Sequence, residues 1–107
     1  MTKRPFSDKG RRATELLELV HSDVCGPLSQ HARGGYEYFV TFTDDYTRYG
    51  FFNLLKHKSE TFNVFQVFRA LVEKQTGKVI NTLRSDRAGE YMSVEFNDFL
   101  KKEGIAS

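Results

Sequence analysis

Residues 34–55 read GGYEYFVTFTDDYTRYGFFNLL. Tyr36, Tyr38, Val40 and Phe42 alternate with Glu37, Phe39, Thr41 and Thr43. A period of two marks a strand, here with one strongly aromatic face. Asp44-Asp45-Tyr46-Thr47-Arg48 supplies turn chemistry, because short polar side chains bond the local backbone. Tyr49–Leu55 then returns as a second strand, paired to the first as a hairpin.

Working upstream, residues 16–24 (LLELVHSDV) carry apolar side chains on both alternating faces. Leu19 and Val20 would point to opposite sides, as in an interior strand. Cys25-Gly26-Pro27 stops that strand, since proline cannot continue the ladder. A polar loop closing at Gly34-Gly35 joins it to the hairpin. Downstream, Lys56-His57-Lys58 is a short loop. Ser59 is placed to cap a helix, with Glu60 as an acid in its first turn. Phe65, Phe68, Leu71 and Val72, with Val64 beside them, follow a 3.6 period, while Asn63, Gln66, Arg69 and Glu73 take the other faces. Gly77 is the expected C-terminal stop. Residues 78–86 (KVINTLRSD) form a fourth strand, 87–93 a loop, and 94–103 a second helix burying Phe96, Phe99 and Leu100 and stopping at Gly104. Three meandering strands, a helix, a strand and a helix imply an α/β arrangement with the fourth strand parallel to the first.

The 107 residues suffice for one small domain. Hydrophobic residues are 39% and charged residues 28%, which fits a globular chain. Ten Phe and five Tyr argue against disorder. No apolar run approaches the roughly 20 residues of a membrane span, and the N-terminus lacks a secretory h-region. Cys25 is the single cysteine. It can form no internal disulfide and no zinc cluster, and a reducing intracellular setting fits best. The net charge of +2 is uneven: residues 1–12 carry +4, which leaves −2 on residues 13–107. The body is no bulk basic platform, so any nucleic-acid chemistry must come from specific sites. Residues 1–12 read as a basic linker, solvated by default. Lys3, Arg4, Arg11 and Arg12 there are candidate phosphate contacts, as are Lys56 and Lys58 beside the hairpin.

Asp23 ends the first strand and Asp86 the fourth, 63 positions later. On parallel neighbouring strands, both carboxylates would emerge at the edge where open α/β sheets place their ligands. Two close carboxylates repel unless a cation lies between them, and a hard ion with oxygen ligands suits them. Spacing alone is a weak signal, because strand-end aspartates are also common turn formers. His21 shares a strand face with Asp23 and could bond it, although a packed edge histidine is the plainer reading. Cys25 reads as a small structural residue. Asp44 and Asp45 read as turn residues rather than metal ligands.

The wording LELVHSDVCGPL, GGYEYFVTFTDDYTRY, LKHKSETF, LRSDRAGEYMSVEFNDFL and EGI runs in register from about Leu17 to the end of the chain. It resembles the integrase core of copia-type retrotransposons. MTKRPF resembles the segment that follows the zinc-binding module of such polyproteins, which would make residues 1–12 a linker and 13–107 a partial catalytic core without zinc. The resemblance implies a ribonuclease-H-like fold, truncated, in the order β-β-β-α-β-α with the last strand and helices missing. It implies two divalent ions, Mg2+ or Mn2+, held by two Asp and one Glu. Asp23 of HSDV and Asp86 of LRSD match the two aspartates. The Glu would lie beyond Ser107, and Glu90 and Glu95 are too close to Asp86 to replace it.

The implied chemistry is processing of transposon ends and their joining to target DNA, by in-line displacement between two metals. On this reading the chain alone is inactive for want of the third carboxylate. The partners would be DNA and further copies of the chain, without a membrane. The setting would be intracellular, in a cytoplasmic virus-like particle and the nucleus. A non-catalytic nucleic-acid-binding or assembly module, or a decayed remnant, is the rival reading. Ala88 departs from the Gly-Gly pair usual after LRSD-x, and would strain that loop by about 1 kcal/mol if the position needs positive φ.

Overall fold

A computed structural model describes residues 12–28, 33–85 and 92–107. Its elements are β1 (Leu19–Cys25), β2 (Tyr38–Asp44), β3 (Gly50–Leu55), α1 (Thr61–Thr76), β4 (Thr82–Ser85) and α2 (Val94–Lys102), with 3-10 turns at Arg33–Gly35 and Lys58–Glu60. The sheet order is β3-β2-β1-β4. The first two pairings are antiparallel, and β4 runs parallel to β1. The crossover through α1 between β3 and β4 is what a parallel fourth strand requires. One further residue joins the sheet: Ala106 bridges Thr82 in the parallel sense.

Alternation assigns the two faces of the sheet. Val20, Val40, Phe42, Leu55 and Leu83 point to the side that both helices cover, and all are buried. Phe42 stacks on Phe68 at 4.9 Å and meets Phe65 at 5.6 Å. Phe96 of α2 joins them through Phe65 at 5.4 Å and Phe62 at 5.1 Å. Phe42, Phe51, Phe62, Phe65, Phe68, Phe96 and Phe99 thus make one helix-to-sheet layer. Each ring pair adds about 0.5–1.5 kcal/mol beyond its buried area. The opposite face carries His21, Asp23, Phe39, Thr41, Phe52 and Arg84. Phe52 is 57% exposed there.

Several boundaries differ from expectation. The first strand starts at Leu19 rather than Leu16. Leu17 sits at φ 65, an uncommon backbone for a bulky residue, which turns the chain just before the sheet. Ser59 does not cap α1. The 3-10 turn at Lys58–Glu60 leads in, and Glu60 takes the cap position with no side-chain bond to the helix. The Glu60 carboxylate instead accepts the Lys56 N–H at 3.0 Å, and the Thr61 hydroxyl donates to the Lys58 carbonyl at 2.7 Å. Leu71 is an exposed residue of α1, while Thr61, Phe65, Phe68 and Val72 make its buried stripe. β4 begins at Thr82 rather than Lys78, because the Ile80 N–H is held by Glu73 of α1 at 2.9 Å and Asn81 donates to the Leu17 carbonyl.

The helix ends agree with the sequence reading. Gly77 takes φ 72 and donates to the Glu73 carbonyl. After α2, Gly104 at φ 75 donates to the Lys101 carbonyl, and Ile105 donates to the Leu100 carbonyl. This paired closure, with Ile105 and Leu100 both buried, is a Schellman motif. Ser93 caps the start of α2 by accepting the Phe96 N–H at 3.0 Å.

Candidate functional site

Asp23 is the fifth residue of β1, and its exposed side chain stands on the face that the helices leave open. Its register partner is Thr41 of β2. The Cys25 thiol, on the same strand face, donates to the Asp23 carboxylate at 3.6 Å. Cys25 is half-buried. It is a neighbour of the candidate carboxylate. Gly26 ends the strand at φ 140, and a Cβ there would stand 2.6 Å from both the Glu37 carbonyl and the Tyr38 ring. Only glycine fits at this exit, so the backbone just beyond Asp23 leaves the sheet along one path.

Across β1, Ser22 is the register partner of Ser85 on β4. In the sequence, Asp23 follows Ser22 and Asp86 follows Ser85. Asp86 lies outside the described residues, as do Lys3, Arg4, Arg11, Ala88 and Glu90. Among the described residues, no group of three or more His, Cys, Asp or Glu side chains is arranged to hold a metal. Asp23 alone offers there a hard, exposed oxygen donor at a strand end. That donor type fits magnesium or manganese and not a soft, thiol-seeking ion. Glu95 lies in the first turn of α2, on the helix-covered side of the sheet.

Lys56 and Lys58 follow β3, at the same end of the sheet as Asp23 but two strands across. The Lys56 ammonium lies 5.6 Å above the Tyr36 ring and that of Lys58 5.6 Å above the Tyr38 ring. These are cation–π contacts, local to β2 and β3.

Asp44 and Asp45 close the hairpin, as their turn chemistry suggests, but both are buried and reach well beyond it. The Asp44 carboxylate accepts the Thr47 N–H and hydroxyl at 2.8 and 2.7 Å, and the Leu17 N–H at 2.9 Å. It thereby holds Leu17 in its uncommon conformation. Asp45 accepts the Ala13 N–H at 2.8 Å and meets His21 Nε2 at 2.8 Å. The Arg12 and Arg48 guanidinium groups stand 3.6 and 3.7 Å from the same carboxylate. Burial pushes the Asp45 carboxyl up, but the Ala13 N–H, His21 and Arg48 outweigh it and hold the carboxyl below its usual range. His21 is therefore paired with Asp45, which corrects the thought that it bonds Asp23. Reading the sequence missed this cluster. The one available signal was a pair of acids followed by an arginine in DDYTR, and turn chemistry explained it sufficiently.

The model of the family described as "Integrase core domain" matches residues 13–107. The chain is 47% identical over 100 residues to the retrovirus-related Pol polyprotein from transposon TNT 1-94 of Nicotiana tabacum. That match covers 94% of this chain and 8% of the relative. It is 37% identical over 105 residues to the corresponding polyprotein from transposon RE2 of Arabidopsis thaliana, covering 97% of this chain and 7% of that one. The chain thus spans less than a tenth of the length of the relatives it matches. Among solved structures it resembles the HTLV-2 integrase catalytic core domain, solved in complex with magnesium in a trimeric form. The TM-score is 0.66 at 15% identity, covering 89% of this chain and 60% of that one. At that identity the likeness concerns the fold, which is that of ribonuclease-H-like catalytic cores.

Proposed function

The chain belongs to the integrase core domain family, and on that premise we propose that it supplies two metal-holding carboxylates, Asp23 and Asp86, of a retrotransposon integrase that joins DNA ends to target DNA. The observation that carries this reading is the parallel register of β1 and β4. Ser22 and Ser85 are partners, and each immediately precedes one of the two aspartates in the sequence. Parallel neighbours lie about 4.8 Å apart, and two carboxylates held at such a spacing would repel without a cation between them.

Bound there, a divalent ion would supply charge stabilisation for an in-line phosphoryl displacement. The protein's own part is positioning. Asp23 pairs with Thr41 of β2, and β4 pairs β1 up to the preceding residue, Ser22. The Asp23 carboxylate lies on the sheet face that α1 and α2 do not cover. Gly26 keeps the exit of β1 narrow and defined. Rigid strands hold such groups more tightly than loops, and a misplacement of about 1 Å can cost on the order of a hundredfold in rate.

DNA is the partner this chemistry requires, and further copies of the chain are the second, in a particle or nuclear setting inside the cell. None of the described helices is long and apolar enough to cross a membrane.

A chimera tests the proposal. Residues 13–107 would replace the matching segment of the tobacco relative, and joining of matched transposon-end DNA would be assayed with manganese. Joining is expected from the chimera and is expected to vanish with Asp23→Asn or Asp86→Asn. Joining that survives both substitutions would sink the assignment.

A further inference from the structure

The two edges of the sheet differ. On β4, Ala106 bridges Thr82, and the Leu83 N–H donates to the Ala106 carbonyl at 2.8 Å. β3 is the other edge, and among the described residues no strand lies beyond it. Backbone groups along such a strand alternate in direction. The Asp44 N–H donates to the Tyr49 carbonyl, and Phe51, Asn53 and Leu55 follow in the same phase opposite Phe42, Val40 and Tyr38. These residues turn their backbone groups toward β2, so Gly50, Phe52 and Leu54 turn theirs outward. The other side of β2 agrees. The Asp45 N–H donates to the Leu19 carbonyl, which directs Thr43, Thr41 and Phe39 toward β1 and the residues between them toward β3. Of the outward carbonyls, that of Leu54 accepts the Asn53 side-chain amide at 2.9 Å.

Edge strands are usually blunted by a charge, a proline or a bulge. Residues 49–55 read YGFFNLL, without charge or proline, and the register with β2 runs unbroken from Gly50 to Leu55. The nearest basic residues, Arg48 and Lys56, lie outside the strand, one beside Asp45 and the other over the Tyr36 ring. The side chains are apolar and uncovered: Phe52 is 57% exposed, Tyr49 53% and Leu54 39%. Phe52 stands against Phe39 with ring centroids 5.1 Å apart, so an apolar strip reaches the edge along the open face.

This strand is its own complement. In an antiparallel pairing about a two-fold axis through Phe52, each Phe52 faces its counterpart and each Gly50 faces Leu54. All three outward residues are then used at once, whereas a register centred on Phe51 or Asn53 pairs only two of them. The pairing consumes both β3 edges, so it stops at two copies. Half exposed, Phe52 and Tyr49 offer about 100 Å2 each. Even with the edge backbone, the contact falls short of the roughly 1,200–2,000 Å2 of a stable interface. The dimer is therefore a weak one that forms as concentration rises.

We propose that β3 is a self-pairing edge: two copies of the chain join through it in antiparallel fashion, Phe52 against Phe52, and their four-stranded sheets become one. This adds a surface to the reading that copies of the chain associate, and it does not rest on the carboxylates.

The test is sedimentation equilibrium of the full 107-residue chain, from about 1 μM to about 1 mM. The native chain is expected to pass from monomer to dimer within that range. Phe52→Lys and Phe52→Glu each bring like charges together on the two-fold axis, and each is expected to weaken self-association at least tenfold. Circular dichroism checks that both variants keep the fold, as substitution of an exposed residue should allow. An equimolar mixture of the two is expected to restore the dimer, because opposite charges then meet across the axis. A cross-link reads the register. In a Cys25→Ser background, Phe52→Cys should form a disulfide between copies, since paired Cα atoms about 5.5 Å apart lie within disulfide reach. Leu54→Cys alone should not, because the two copies of that position stand four residues apart along the strands, about 13 Å.

A native chain that stays monomeric throughout the range would overturn the pairing and leave the metal reading of Asp23 intact. A dimer that persists in both charge variants, or a mixture no more associated than either variant alone, would place the contact elsewhere and overturn it too. So would cross-linking by Leu54→Cys and not by Phe52→Cys. Manganese affinity unchanged by Asp23→Asn would remove the metal reading and leave the pairing untouched.

Discussion

Ser22 and Ser85 face each other across the parallel β1–β4 pair. The two aspartates that the family resemblance singles out come one residue later on each side. The whole site depends on that register, because a slip of one residue turns every side chain of a strand to the opposite face.

The register can be trapped covalently. With Cys25→Ser removing the native thiol, Ser22→Cys/Ser85→Cys should form a disulfide under mild oxidation. Register partners on adjacent strands fall within the roughly 4.4–6.8 Å Cα separation that a disulfide accepts. Mass spectrometry of the digested protein reads the cross-link. If Ser22→Cys cross-links only when paired with Thr82→Cys or Leu83→Cys, the register is a different one.

Gly26 should tolerate no side chain. Gly26→Ala combines positive φ with overlap against the Glu37 carbonyl and the Tyr38 ring. Backbone strain of about 1–3 kcal/mol and overpacking of similar size together suggest a loss of about 2–6 kcal/mol. Urea unfolding would measure it, and a loss below about 0.5 kcal/mol would mean that the β1 exit is less constrained than the geometry indicates.

Asp45 ties the approach segment, β1 and the hairpin together, and its carboxyl is held below the usual range in the fold. The sign follows from linkage. A lowered folded-state pKa contributes stability that is fully present above the unfolded value, about 3.9, and is lost as pH falls through the lower folded value. Thermal unfolding of the native chain should therefore drop on acidification below about pH 4. Asp45→Asn should be less stable at pH 7 and should lose less on acidification. Parallel pH curves for the two proteins would remove Asp45 from the account.

Ser93→Ala removes the side-chain acceptor that holds the Phe96 N–H at the start of α2. A cost of about 1 kcal/mol is expected, visible as a lower urea midpoint with an unchanged slope. Ser93→Asp should recover most of it, since aspartate caps equally well and suits the helix dipole.

These sites differ in how far the sequence discloses them. The hairpin was legible because Tyr38, Val40 and Phe42 alternate without interruption, and the helix stops were legible because Gly77 and Gly104 do what only glycine does cheaply. The strand-end position of Asp23 was legible from the Cys25-Gly26-Pro27 that follows it. The start of β1 was not, because Leu16 and Leu17 look like strand residues. What turns the chain there is a distant carboxylate, Asp44, bonded to the Leu17 N–H. The Asp45 cluster was hidden for the same reason. Its partners Ala13 and His21 lie 32 and 24 positions away, and local turn chemistry already accounted for an aspartate at that place. Leu71 follows the helical period yet is exposed, beside the buried stripe of Thr61, Phe65, Phe68 and Val72.

The most direct test of the central claim is manganese binding, measured by titration calorimetry on the native chain, Asp23→Asn and Asp86→Asn at one pH and salt concentration. Saturable binding by the native chain and at least a tenfold loss of affinity in each variant are expected. Affinities equal across all three proteins would place the ion elsewhere and would contradict a metal site shared by Asp23 and Asp86.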